Sequence, residues 1–387
     1  MVNGLRISRK YILLLGMCLS VFISGVLSAV GYAGFLILFF CILFLSMNIK
    51  IDRVFCASLL CIILLFSRVF IQMIEGTLYD GSIHSLIAQV FVFIYVIMIR
   101  SCKVTLLEWK WIFTRFSFYI FIIAIVLLRG NLLQSSPIFF STFGNFLLIA
   151  FGMVLILTQM YDGNEKRFFQ LLLFVFIVCT FLSGMRSAVI SEVAGIFLLF
   201  CYKFVGENRR FNNLIFVLVT VSCFLVPFIY LEFYSPSTDF TRDASFWIQT
   251  QVHYYSGSRF FSGRNVLWDY IFPVVSEYFF FGCGVGFSPG MIFDTNLSTH
   301  NLFLFIRLEL GMLGLLAFIG LLFTVWRSCF LQPMSEVKYA VQSVMFIIML
   351  QQTFSLGLLG GKGVYSILCW TVLLALQNNE RKMIDGD

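Results

Sequence analysis

The sequence predicts an all-α, polytopic integral membrane protein, with about twelve transmembrane helices and one large outer loop between the ninth and tenth. Three observations predict it. Of 387 residues, 60% are hydrophobic and only 12% charged, too few polar groups to coat a water-soluble globule. Mean hydropathy is +0.97, and the apolar runs repeatedly reach the roughly 17 to 25 residues that a helix needs to cross a bilayer. Those runs do not alternate polar with apolar residues, so the strands of a transmembrane β-barrel are excluded.

Taken in order, the elements begin with "MVNGLRISRKYILLLGMCLSVFISGVLSA". Its basic-then-apolar pattern is that of a signal peptide, but a second apolar run follows directly, so a retained first helix is expected. Runs near 11–28, 32–49, 54–74, 84–99, 111–128, 139–159, 168–184, 187–204 and 214–232 precede the loop. Runs near 301–326, 338–356 and 363–377 follow it.

Charge orients these runs. With the amino terminus inside, one side receives Lys50/Arg53, Arg100/Lys103/Lys110, Lys166/Arg167, Lys203/Arg209/Arg210, Arg327/Lys338 and Arg381/Lys382. Adding Arg6, Arg9, Lys10 and Arg115, that side holds 18 of the 26 Lys and Arg, as the positive-inside rule requires. Both termini are then cytoplasmic, and the net charge of +7 is a topology signal that implies no nucleic-acid partner. The chain reads as a single membrane domain, 1–387, with the hydrophilic connector 233–299 as its large outer loop. Loops of that length usually carry function. The eleven cysteines form no CxxC pair, lie mostly in apolar runs and read as small buried hydrophobes; Cys283 is the only one in the loop.

Eight basic residues are left on the outer side: Arg68, Arg129, Arg186, Arg242, Arg259, Arg264, Arg307 and Lys362. Arg68 and Arg307 lie inside apolar helices, roughly 9 to 10 Å from the outer end, where an uncompensated charge costs a few kcal/mol. Two readings stand. Each arginine either snorkels or pairs with Glu75, Glu192 or Glu309, or several converge on an anion. The planar guanidinium fork suits phosphate oxygens, and at that depth the natural diphosphate is a lipid headgroup.

The stretch "NLSTHNLFLFIRLELGMLGLL" puts His300 at the start of the tenth span and Arg307 seven residues later, on almost the same helical face. Glu309 falls on the opposite face and is expected to bond a neighbouring helix; Gly311 and Gly314 are expected to let helices pack closely. In "FLSGMRSAVISEV" a very short outer connector fixes Arg186, with Ser183 or Ser187 as helix cap and Glu192 as partner for Arg68 or Arg186. In the loop, "RFFSGRNVLWDYIFPVVSEYFFFGCGVGFSPG" offers Ser262 as a cap, then Arg264, in a partly helical stretch broken by Pro273. Trp268, Tyr270 and Tyr278 read as headgroup-level anchors, or, for Trp268 with Tyr254 and Tyr255, as surfaces on which sugar rings stack. There is no HExxH or Walker motif, and the only DxD is Asp385 to Asp387 at the extreme end, so neither a metal nor a cofactor is expected.

The motifs "LSGMRSA", "SGRNVLW", "GCGVGFS" and "HNLFLFIRLELGMLG" together resemble the superfamily of bacterial O-antigen polymerases (Wzy-type) and O-antigen ligases. The resemblance covers the second half of the chain. It implies a metal-independent glycosyltransferase of the bacterial inner membrane, acting on its periplasmic face in lipopolysaccharide synthesis. Donor and acceptor would be glycans linked through pyrophosphate to undecaprenol, and a chain-length regulator protein would be a partner. Catalytic residues would be His300, Arg264 and Arg186, the pyrophosphate held by Arg186, Arg264, Arg68, Arg307 and Arg259, with Glu309, Asn301 and Glu192 supporting them. A polymerase is expected ahead of a ligase, and a lipid-linked glycan flippase is the non-enzymatic alternative.

Overall fold

The computed structural model describes residues 9–26, 31–45, 49–102, 104–129, 137–234, 238–256, 264–293, 299–331, 335–354, 358–359 and 364–376. Among them are fifteen helices and no strand. Nine precede the loop: α1 (Arg9–Val26), α2 (Gly31–Leu45), α3 (Arg53–Glu75), α4 (Ser82–Ser101), α5 (Leu106–Arg129), α6 (Pro137–Met160), α7 (Gly163–Leu182), α8 (Arg186–Val205) and α9 (Arg209–Tyr234). The loop holds α10 (Asp239–Ser256), α11 (Arg264–Glu277) and α12 (Gly290–Phe293). After it come α13 (Leu302–Phe330), α14 (Ser335–Gln351) and α15 (Val364–Ala375).

Apart from α10, α11 and α12, each helix lies over one of the apolar runs, and the all-helical, multi-pass class follows. Seven described helices, α3, α4, α5, α6, α8, α9 and α13, are long and apolar enough to cross a membrane. The expectation of about twelve crossings goes beyond these seven.

Large apolar side chains cover the outward faces, among them Phe66 and Phe70 of α3, Phe174 and Phe181 of α7, and Phe197 and Phe200 of α8. An exposed belt of this kind is stable against lipid and not against water. The core centres on α6, where every residue from Phe146 to Leu157 is buried, and α6 packs on α5, α7 and α14. Small residues set two crossings: a Cβ at Gly195 would meet Ile347, and one at Gly152 would meet Val344, both on α14. Asp52 caps α3 by accepting from Val54 and Phe55 N–H at 3.0 and 3.1 Å. The same carboxylate takes Arg100 Nε at 2.9 Å, tying α3 to α4.

Three local expectations are corrected. α11 continues through Pro273, and Asp269, whose carbonyl loses its helical donor, is exposed. Neither serine caps α8: Met185 is its N-cap residue, without a side-chain bond, and Ser183 Oγ donates backwards to Thr180 O at 2.7 Å. Trp268 is 0% exposed, so it is neither a headgroup anchor nor a sugar platform. It sits on the α11 face of Leu267, Ile271 and Val275, which packs on Leu304 and Leu308 of α13. Tyr254, Tyr270 and Tyr278 are exposed, while Ser262 and the Tyr255 side chain lie outside the described residues.

Candidate functional site

α13 is two helices in one. At Gly311 the backbone turns to φ 66 and ψ −161, which only a residue without Cβ reaches at low cost. A break inside an apolar helix frees carbonyl and N–H groups that need partners. The turn 279–284 supplies them. Cys283 N–H donates to Leu308 O at 2.7 Å, Gly284 N–H to Glu309 O at 3.2 Å, and Met312 N–H to Phe279 O at 2.9 Å. The expected role of the glycines is thereby corrected: a Cβ at Gly311 would run into the Phe280 carbonyl, and one at Gly314 into its own helix at Leu310. Close approach is indeed required at Gly311, but of a loop backbone rather than another helix.

α3 and α4 grip the same turn. Arg68 Nη2 donates to Gly282 O at 3.1 Å, and its guanidinium lies 3.6 Å from Glu75. Gln72 Oε1 accepts from Val285 N–H at 2.9 Å, Tyr79 O–H donates to Cys283 O at 3.0 Å, and Ser82 O–H donates to Val285 O at 2.6 Å. Arg307 stands over the Phe279 ring at 4.9 Å, and its buried Nε has no hydrogen-bond partner. Arg68 and Arg307 thus both contact the segment 279–282. Burial pushes the Cys283 thiol up to about 11 and also raises Tyr79, so both groups stay neutral at physiological pH.

His300 is held differently. With φ 50 it is the one non-glycine residue with positive φ among those described, a conformation that costs about 1–3 kcal/mol and persists only where its surroundings impose it. They do so on both sides. Thr299 O accepts the Trp268 indole N–H at 2.8 Å, and Leu302 N–H donates to Gln352 O at 3.0 Å. Asn301, 0% exposed, caps α13 by accepting from Leu304 N–H at 2.9 Å. Its Nδ2 donates to Cys223 O at 3.2 Å and Thr353 O at 3.1 Å. His300 therefore precedes the N-cap and is not on the helix, so the expected helical stripe with Arg307 does not form. The expected opposition of Glu309 to His300 round one continuous helix falls with it.

The other candidates are spread further. Arg186 is the exposed first residue of α8, which packs against α6, α7 and α14, and α14 in turn touches α13. Arg264 opens α11, with its side chain outside the described residues; Arg259 is outside them altogether. Glu192 does not pair with Arg68, whose acid is Glu75: it is buried and accepts from Thr180 O–H at 2.9 Å, and its second oxygen has no hydrogen bond. Glu309 is buried against α4, accepting from Gln89 Nε2 at 2.5 Å and Ser85 O–H at 3.2 Å.

Sequence reasoning overlooked Gln72, Ser85, Gln89 and Thr299. A signal was there for the first three. Arg68, Gln72 and Glu75 recur at i, i+4, i+7 in α3, and Ser82, Ser85 and Gln89 at i, i+3, i+7 in α4. Each set makes a polar stripe down one face of an apolar helix, which in a membrane marks the side that must find hydrogen bonds.

Residues 171–319, from within α7 to beyond the break in α13, match the family model described as O-antigen ligase. The match is consistent with the O-antigen polymerase and ligase superfamily and does not separate one activity from the other. No curated protein matches the chain.

Proposed function

We propose that the chain is an O-antigen polymerase, joining undecaprenyl-pyrophosphate-linked oligosaccharide units on the periplasmic face of the bacterial inner membrane. The observation that carries the proposal is the fixed presentation of His300, strained at φ 50 between anchored neighbours, within the segment that matches the family. Strain that surrounding packing enforces is a frequent mark of a working residue.

In this reading the acceptor sugar hydroxyl attacks the anomeric carbon of the donor. The bond from that carbon to the pyrophosphate oxygen breaks, and undecaprenyl pyrophosphate leaves. His300 takes the hydroxyl proton, which requires a neutral imidazole within hydrogen-bond reach. Arg186 and Arg264, with Arg68, Arg307 and Arg259 in support, balance the charge that grows on the leaving diphosphate. Asn301 acts through His300 by holding its backbone. Nucleotide sugars are absent outside the cytoplasm, so the activated bond arrives on a lipid, and the arginines do the work that a metal does elsewhere. Ligation of finished polymer to lipid A-core uses the same donor chemistry and is the second reading, since the matched family carries the ligase name.

Deleting the gene separates the two on a lipopolysaccharide gel. A lost polymerase leaves core bearing a single repeat unit; a lost ligase leaves bare core. In the restored strain, Arg264→Ala is expected to abolish chain extension at an unchanged membrane level of protein. Polymer of normal length from that variant would overturn the site, and purified protein inert towards lipid-pyrophosphate glycans would leave the flippase reading.

A further inference from the structure

Glu309 is 1% exposed, and no lysine, arginine or histidine forms an ion pair with it among the described residues. A buried carboxyl group without a cation is costly unless hydrogen bonds satisfy it. Three neutral donors do so, two from α4 and one from the turn. Ser85 O–H and the Gly286 N–H reach Oε1 at 3.2 and 2.9 Å, while Gln89 Nε2 reaches Oε2 at 2.5 Å. The residue's own carbonyl takes the Gly284 N–H at 3.2 Å, and two residues later the helix breaks at Gly311. One side chain therefore fastens three parts together: α4, the turn 282–286, and the first half of α13.

The structure assigns Glu309 the role of a positioning residue that, with Gln89, locks the glycine-rich turn into the break of α13. The assignment rests on the proposed transferase reading, because what the lock positions is the candidate site. With the turn seated, Arg68 lies on Gly282 O and Arg307 over Phe279. The half-helix that carries Arg307 begins directly after His300 and Asn301. Releasing the lock lets the turn leave the break, and both guanidinium groups lose the backbone and ring that orient them. Glu309 touches no reacting atom in this scheme.

Polarity supplies the test. Glu309→Gln keeps the shape but turns one acceptor into an amide that faces the Gln89 amide, donor against donor. Adding Gln89→Glu restores a complementary pair with the roles reversed, and the amide oxygen that Glu309→Gln leaves in place of Oε1 still accepts from Gly286 N–H. Two readouts are taken on cells carrying the full chain. The first is glycan transfer by isolated membranes. The second is labelling of Cys283 in spheroplasts by a membrane-impermeant maleimide, located by peptide mass mapping, since Cys283 is buried while the turn is seated.

Glu309→Gln is expected to lower transfer about tenfold or more and raise Cys283 labelling by a similar factor, as follows from leaving a buried polar group unmatched. The double variant is expected to return both readouts close to the parent. Should Glu309→Gln fail to accumulate, Ser85→Ala removes one donor of three and is expected to raise labelling by a smaller factor. The assignment is overturned if Glu309→Gln labels and transfers like the parent, if the reversed pair gives no recovery, or if Ser85→Ala leaves labelling unchanged. Labelling that follows the predicted pattern with no transfer by any variant, parent included, would sink the transferase reading and leave the lock standing.

Discussion

Asn301 allows a test in which two ordinary substitutions give opposite forecasts. Its Oδ1 caps α13, and its Nδ2 donates to Cys223 O and Thr353 O. The Cys223 carbonyl has a particular need. Its helical donor would be the N–H of residue 227, and that residue is Pro227, which lies inside α9 and has none. Asn301→Ala removes the cap, worth about 1 kcal/mol, and two hydrogen bonds to buried carbonyls, worth about 1 kcal/mol each. The sum, roughly 3 kcal/mol, corresponds to about a hundredfold loss in the population that holds His300 in place. Asn301→Asp keeps the cap, since aspartate caps as well as asparagine, but points an acceptor at two carbonyls. If capping were all that mattered, aspartate would be neutral; the geometry instead requires it to lose at least about 2 kcal/mol. Pro227→Ala gives Cys223 O a helical N–H again and is expected to return about 1 kcal/mol in the Asn301→Ala background, which a double-mutant cycle reads as coupling. The assays are thermal unfolding of purified protein in detergent and the length of glycan on gels. An Asn301→Asp variant as stable and active as the parent, or additivity of Pro227→Ala with Asn301→Ala, would refute this account.

Other substitutions probe the neighbouring contacts. Gly311→Ala places a Cβ against the Phe280 carbonyl at a backbone angle of φ 66, and is expected to destabilise the protein by about 1–3 kcal/mol, read as a lowered unfolding temperature. Trp268→Phe keeps most of the buried ring but removes the bond to Thr299 O. It should cost about 1–3 kcal/mol through the orphaned carbonyl, with turnover by membranes falling more than protein level. The Cys283 thiol, held near 11 by burial, is protonated at neutral pH. Its maleimide labelling is expected to climb about tenfold per pH unit up to about pH 9 without levelling off; a profile that flattens near the ordinary thiol value of about 8.5 would place the thiol in water.

Much of the fold was legible because lipid simplifies the problem. A helix that must bury every backbone bond announces itself by apolar length, and each apolar run proved to carry a helix. The site was legible only as a set of residue types. His300 and Arg307 looked like one helical face because a periodicity argument assumes an unbroken helix, whereas Asn301 starts the helix after His300 and Gly311 interrupts it. Trp268 looked like an anchor because aromatic residues near a membrane surface usually are. Its burial depends on α11 lying against α13, a contact between segments about thirty-five residues apart that no local pattern encodes. Pro273 suggests a break for the same local reason, whereas the exposure of Asp269 lets its carbonyl go without a helical donor.

Gaps in the hydrogen bonding of two helices, a proline in α9 and a break in α13, explain why these residues sit together. Pro227 leaves α9 with an unmet carbonyl, and Gly311 leaves α13 with several unmet groups; in an apolar interior each has to be answered by something nearby. Asn301 answers the first and the turn 279–284 answers the second, so both repairs are made around the first half of α13. The same requirement sorts the arginines. Arg68 already has a carbonyl and Glu75, so its charge is partly used in holding the turn, and the case for a foreign anion there is weaker than the sequence alone suggested. Arg307 has an aromatic face and an unsatisfied buried Nε, and a ring is a poorer partner than an oxyanion. Of the two guanidinium groups at the turn, Arg307 is therefore the one with more to gain from a diphosphate, and replacing it should weaken donor binding more than replacing Arg68, whose loss should first be felt in the seating of the turn.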